Sequence, residues 1–378
     1  MKDVMGVIYT SKNDLTLREL TVSRAVAALP IAGRYRMIDF ILSNMVNTQI
    51  HNVGVIMQRN YHSLMDHLGS GKDWDLHTRN DGLFILPPFL TRENVGSYGG
   101  IIDALRSNMG YLRRSRQDTV VLTNSNAVYS MAFDTMIKEH QQSGADITLM
   151  YVDAQRIELD DDPLFTGRHV YLGVDLSGRV NDLEVGPAQP SYHNLYTDVM
   201  VIKRSLLIHL IDQAVARSTK DFNRDILLSY IQSRLLHIHG YEFQGYYRRV
   251  ESVLSYYRAN LDLLNSAVRD ELFGLSPVYT KVRDEVPARY LGEGRADHSL
   301  VADGCLVEGD VTGSILFRGV RVGRGAKVKN AIVMQAADIQ QGAEIENVIL
   351  DKNVVIRPGG RLIGQPTYPI VIGKGSTI

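Results

Sequence analysis

Leu316, Val322, Val328 and Met334 stand six residues apart. Ile339 and Ile345 repeat the interval after a one-residue slip, and Leu350 and Ile356 repeat it again. A shared signature accompanies the spacing: Val322-Gly323-Arg324-Gly325-Ala326-Lys327, Ile339-Gln340-Gln341-Gly342-Ala343-Glu344 and Ile372-Gly373-Lys374-Gly375-Ser376-Thr377. A six-residue period with glycine at the corners predicts a left-handed parallel β-helix, each side one short strand with its aliphatic residue pointing into the prism. An ordinary antiparallel β domain would not keep that period. Such a stack exposes flat faces and strand edges, so pairing with other chains, its own copies included, is expected.

Upstream of about residue 300 the pattern differs. Short β-rich runs at Val4–Tyr9, Val53–Met57, Thr119–Leu122, Ile147–Val152, Val170–Val174 and Val199–Ile202 alternate with helical patterns. The helices are read at Met37–Asn47, Tyr61–Leu68, Ile101–Arg113, Phe133–Ser143, Ser205–Ala216, Asp225–Leu236 and Tyr257–Ser266. This alternation predicts an α/β domain with a doubly wound, mostly parallel sheet. The expected division is an α/β domain over 1–270, a linker over 271–298 holding Pro277 and Pro287, and the β-helix over 299–378.

The chain has 378 residues and a formal net charge of -1, which gives no electrostatic ground for nucleic-acid or membrane-surface binding. Cys305 is the one cysteine, so no intramolecular disulfide can form and a reducing, cytoplasmic setting is expected. The segment Met1-Lys2-Asp3-Val4 leads straight into a strand, and neither a signal peptide nor a membrane-spanning run is expected.

The run Val120–Met131 is an apolar strand that ends in Asn124, Ser125 and Asn126. In open α/β sheets ligands sit beyond the carboxyl ends of the strands. A nucleotide-phosphate enzyme needs an acid there to hold a metal, and Thr119–Phe133 contains none. Three other motifs have both a functional and a plain reading. Gly33-Arg34-Tyr35-Arg36-Met37-Ile38-Asp39-Phe40 is a phosphate-receiving basic patch or simply a helix start with an Arg–Asp pair; spacing favours the second. Gly69-Ser70-Gly71-Lys72 lacks full P-loop spacing, and a surface turn anchored by Trp74 is the better reading. Gly96-Ser97-Tyr98-Gly99-Gly100 opens the helix carrying Asp103, a weak anion-site signal.

Several stretches resemble bacterial glucose-1-phosphate adenylyltransferase, also called ADP-glucose pyrophosphorylase. They are Gly33–Asn44 (GRYRMIDFILSN), Val53–Gln58 (VGVIMQ), Gly69–Leu76 (GSGKDWDL), Gly245–Leu264 (GYYRRVESVLSYYRANLDLL) and Ser299–Lys329, in the family's order. The resemblance implies a Rossmann-like nucleotidyltransferase fold followed by the β-helix. It also implies a role in making ADP-glucose from ATP and glucose 1-phosphate for glycogen. Gln58, Gly100 and Asp103 become candidates for a residual nucleotide or sugar pocket.

The resemblance breaks at the chemistry. The family's glycine-rich phosphate loop is replaced by Ile8-Tyr9-Thr10-Ser11-Lys12-Asn13-Asp14. Where the family has AKPA, Val26 takes the lysine position. Aligned through Tyr129 and Met131, Asn126 takes the place of the first metal aspartate. Gly186 matches a sugar-phosphate lysine and Arg249 the second metal aspartate. No catalytic residue and no bound cofactor are therefore expected; magnesium would be used by a catalytic partner. The pattern is similar to the regulatory branch of the family, whose members are taken to support a catalytic subunit within a heterotetramer. Arg24 and Arg36 match effector-binding arginines, so a sugar-phosphate or nucleotide effector is in view. Other readings are an active enzyme with metal held by Asp103, Glu184 or Asp198, and a scaffold that binds no small molecule. A hexapeptide-repeat acyltransferase is disfavoured, since such enzymes use a histidine between coils and the chain has none after His298.

Overall fold

The computed structural model describes residues 3–10, 16–78, 81–88, 98–159 and 168–378. The chain forms two compact units: Met1–Lys12 with Ile41–Arg248, and Asn13–Phe40 with Arg249–Ile378. Both units are discontinuous in sequence, so neither residue 270 nor residue 299 marks the division between them.

In the first unit the described residues form a nine-stranded sheet. Its strands are β1 (Val4–Tyr9), β2 (Asn52–Ile56), β3 (Gly82–Leu86), β4 (Thr119–Asn124), β5 (Ile147–Asp153), β6 (Val170–Val174), β7 (Val180–Val185), β8 (Asn194–Lys203) and β9 (Ile238–Glu242). The order β7-β6-β8-β4-β1-β2-β3 carries β5 on β8 and β9 on β5. The block β3-β2-β1-β4 is parallel. Val4, Met5, Val7 and Ile8 are at most 4 % exposed, which is why β1 reads as a continuous apolar run. β8 runs antiparallel to β4, β5 and β6. It reaches three partners because its register shifts between Tyr196 and Met200, with Asp198 at φ +61° inside the shift.

Helix boundaries differ where caps decide them. The expected helix over Ile101–Arg113 divides into Ile101–Ser107 and Met109–Arg114 at Asn108, which leaves helical geometry and whose side-chain amide joins its main-chain N–H on the Ala104 carbonyl. The expected Tyr257–Ser266 helix begins earlier, at Val253, where Ser252 and Ser255 form a reciprocal capping box. The 225–236 pattern starts as a π turn over Phe222–Leu227, capped by the Asp221 carboxylate, and ends by Ser233. β3, β7 and β9 were not anticipated.

The second unit contains the prism: three sheets of five parallel strands each. Its first strand, Arg289–Tyr290, already pairs with Leu306–Val307. Val322 pairs with Ile339 and Ile339 with Ile356, a repeat of seventeen residues. In these two coils the one-residue slip makes two sides of six residues and one of five; the coil from Val307 to Val322 is shorter and the one from Leu350 to Ile372 longer. Val307, Val322, Ile339 and Ile356 are at most 1 % exposed and stack along one inner edge. At roughly 25 cal/mol per Å² of apolar area, stacks like this hold the prism together. Tyr257, on the helix Val253–Leu261, fixes that helix to the prism by donating to the Asn330 carbonyl at 2.6 Å.

Candidate functional site

β1 and β4 are adjacent, yet the chain leaves β1 toward β2 and later returns to β4 on the other side. That is the topological switch point of an open α/β sheet, where a crevice forms. A cleft of about 280 Å³ opens there in the first unit, lined by Tyr9 of β1, Leu122, Thr123 and Asn124 of β4, and Asp198 and Met200 of β8, among others. Among its described lining residues none is a lysine, arginine or histidine, and Asp198 is the one charged side chain.

Tyr9 occupies the end of β1. Its ring is 9 % exposed and its hydroxyl accepts from the Gln58 amide at 2.9 Å. The Gln58 carbonyl in turn accepts the Tyr98 main-chain N–H at 3.1 Å. Burial pushes the Tyr9 phenol up to about 12, so it stays neutral and protonated. Thr10 then bonds the Ile56 carbonyl with both its N–H and its hydroxyl. The chain thus continues along β2 at the point where a phosphate loop would turn away. Ser11–Asp14, and Gly96 and Ser97, lie outside the described residues.

Asn126 is 3 % exposed just beyond β4. The loop after it is held by Asn44, whose amide donates to the Tyr129 carbonyl and whose carbonyl accepts from the Met131 N–H. Asp103 Oδ2 accepts the Gly99 N–H at 3.0 Å. Gly100, at φ -178°, is extended backbone that borders the cleft. Gly186 sits at φ +61° with its N–H on the His169 carbonyl, a left-handed position that a lysine would adopt only with strain. Glu184 accepts the Ser191 N–H at 2.9 Å. Among the described residues no three His, Cys, Asp or Glu side chains converge as a metal-ligand set. Arg248 pairs with Glu158.

The remaining positions belong to the second unit. Val26 is 2 % exposed in an apolar helical turn. Arg249 is 8 % exposed, with the Glu251 carboxylate 3.9 Å away. Arg24 is 3 % exposed and binds both oxygens of Asp351 at 2.7 Å. Arg36 is half-buried, and its main-chain N–H is received by Asp39 at the helix start. Beside the Arg24–Asp351 pair lies Lys352, whose ammonium is pulled down to about 8, first by burial and then by Arg36, Arg24 and Lys374, against the opposing pull of Asp351. Sequence reading found two of these cations and missed Lys352 and Lys374. The signal available was the recurrence of lysine at equivalent places of two successive coils, since Leu350 pairs with Ile372 and Lys352 and Lys374 each stand two residues further on. Around Gly69–Trp74 the plain reading holds. Gly71 has φ +79° and no room for a Cβ, and Trp74 is buried against His67.

Comparison with known proteins bears on this arrangement. A nucleotidyl transferase family model matches residues 16–159, and a GlmU-like, C-terminal hexapeptide model matches 286–367. The chain is 37% identical over 98% of its length to the glycogen biosynthesis protein GlgD of Bacillus subtilis, covering 96% of that protein. The chain belongs to the glucose-1-phosphate adenylyltransferase family, and within it to the GlgD type. The GlgD protein of Geobacillus stearothermophilus is 35% identical over 99% of the chain and 96% of that relative. The glucose-1-phosphate adenylyltransferase of Thermotoga neapolitana is 32% identical over 87% of the chain and 77% of its own length. The likeness to GlgD proteins thus runs through both units, and the family's frame is kept around a cleft whose described lining holds no cation.

Proposed function

We propose that this chain is a regulatory, catalytically deficient subunit of glucose-1-phosphate adenylyltransferase in bacterial glycogen synthesis. On this reading it acts in the cytoplasm as part of a heterotetramer with a catalytic partner that makes ADP-glucose. The observation that carries it is the cleft at the switch point. Attack of a sugar phosphate on the α-phosphate of ATP brings anions together and depends on cationic clamps and metal ions held by carboxylates. Here the described lining offers Tyr9, Asn124 and Asp198 but no cation, and Gln58 is engaged by Tyr9 and Tyr98. Loss of one such stabilising group costs about 3–4 kcal/mol, or 10²–10³ in rate. Several are replaced together, so the partner would supply both the chemistry and its magnesium.

The regulatory half of the reading rests on Lys352, Lys374 and Arg36, gathered beside the Arg24–Asp351 pair in the second unit. A depressed lysine among cations favours an anionic effector such as a sugar phosphate or nucleotide. Arg24 would act by holding Asp351 in place, since its guanidinium is already occupied. The test is to co-purify the chain with the catalytic subunit and measure complex mass and effector response together. A defined hetero-oligomer whose activation is altered by Lys352→Gln supports the reading; two proteins that elute separately, with activation unchanged on mixing, defeat it.

A further inference from the structure

The cleft at the switch point carries charge of one sign. Tyr196, Asp198 and Met200 alternate along β8 and all three line it, and Asp198 is the one charged side chain among its described lining residues. Asp198 is half-buried, at φ +61° within the register shift of β8. Left-handed backbone of this kind costs energy in an L-residue and concentrates where a side chain is aimed at a site. A second carboxylate adds to the field. Asp103 sits behind Gly99, whose N–H it accepts, and Gly99 lines the cleft. Burial is the main cause of the raised Tyr9 pKa and the Gln58 amide opposes it, but the Asp103 charge raises it further, so that charge is felt at the cleft wall.

The rest of the lining is aromatic or neutral. Tyr9, Tyr196 and Phe222 bring three buried rings, and aromatic faces are negative. Thr123, Asn124 and Asn223 add uncharged polar groups, and Met200 a polarisable thioether. Two cations stand near Phe222 in sequence, and neither is a lining residue. Arg224 Nη2 donates to the Val185 carbonyl at 3.4 Å. Lys220 is exposed, and the part of it nearest the cleft is its carbonyl, 3.6 Å from where a Gly100 Cβ would stand.

We propose that this cleft binds a small organic ammonium ion. The ammonium would donate to the Asp198 carboxylate and lie among the rings of Tyr9, Tyr196 and Phe222, whose π systems attract a cation. An anion would meet the same carboxylate with no described lining cation to offset it, and a neutral isostere would forgo both attractions. The volume of about 280 Å³ falls just under the ordinary range of small-molecule pockets, roughly 300–1,000 Å³, and suits a single short ammonium compound. This binding belongs to the chain by itself and does not depend on a catalytic partner or on the Lys352 cluster.

The experiment is a ligand-observed NMR titration of the full chain alone with three probes of similar shape: n-butylammonium, n-butanol and butyrate. Tetramethylammonium is a fourth probe, which keeps the charge and removes the N–H donors. Wild type is compared with Asp198→Asn, Phe222→Leu and Asp212→Asn. Asparagine tolerates the left-handed backbone, so Asp198→Asn keeps the fold. Asp212→Asn removes the same charge from an exposed helix that does not line the cleft. The expected result is saturable binding of n-butylammonium to wild type and to Asp212→Asn, at least tenfold tighter than n-butanol, with no binding of butyrate. Asp198→Asn should weaken n-butylammonium at least tenfold, and Phe222→Leu should weaken tetramethylammonium more than n-butylammonium. No binding of n-butylammonium, equal binding of n-butanol, or unchanged affinity in Asp198→Asn would overturn the proposal. An equal loss in Asp212→Asn would also overturn it, since net charge rather than the cleft would then hold the ligand.

Discussion

Arg24 matches an effector arginine of the family it resembles, and its Nη2 already binds both oxygens of Asp351, the two side chains being 3 % and 1 % exposed. Removing one partner of a buried ion pair leaves the other uncompensated, at a cost of about 3–5 kcal/mol. Arg24→Ala should therefore lower stability by that order in urea denaturation, whereas Arg24→Met with Asp351→Leu should lose much less. Lys352 gives a different prediction. With its pKa pulled down to about 8 from the ordinary lysine value of 10.5, the free folded protein releases this proton as pH passes 8. An anion bound beside it raises that pKa, so binding takes up a proton between pH 8 and 10.5. Anion affinity should fall as pH rises through that window, and calorimetry in two buffers of different ionisation enthalpy should register the uptake. Asn126, Val26 and Gly186 stand out only against the motifs of the family that the chain resembles. Tyr9 was legible only as an absent glycine; its bond to Gln58, nearly fifty residues on, is a tertiary fact that no local pattern encodes.

At the scale of elements, the prism was the most readable part of the chain. Its strands repeat locally and pair with neighbours one coil away. The α/β unit was read less completely, because β9 pairs with β5 across some ninety residues and β8 changes register within itself. Helix ends failed where a cap overrode periodicity, as at Ser252. The solvent face of the prism also carries a pattern that apolar periodicity could not reveal. Arg295, Asp310, Lys327, Glu344 and Arg361 are successive partners in register and alternate in sign. Opposite charges directly across strands contribute roughly 0.2–1 kcal/mol each, and like charges reverse the effect. Glu344→Lys would place like charges beside Lys327 and Arg361. It should cost about 1–2 kcal/mol in thermal unfolding at low salt, with much of the loss recovered at 1 M salt.

For the whole molecule, the family frame runs over nearly the full length, as the likeness to GlgD proteins and to adenylyltransferases shows. On the proposed reading the replaced positions are Tyr9 and Asn126 in the first unit and, taken separately, Val26 and Arg249 in the second. Because several positions are replaced, no single reversion should restore activity. The direct measurement is steady-state ADP-glucose synthesis from ATP, glucose 1-phosphate and Mg²⁺, made with the purified chain and with its Asn126→Asp variant. Neither protein should exceed the no-enzyme background, while addition of either should change the rate of the catalytic subunit. Robust synthesis by the chain alone would contradict the account.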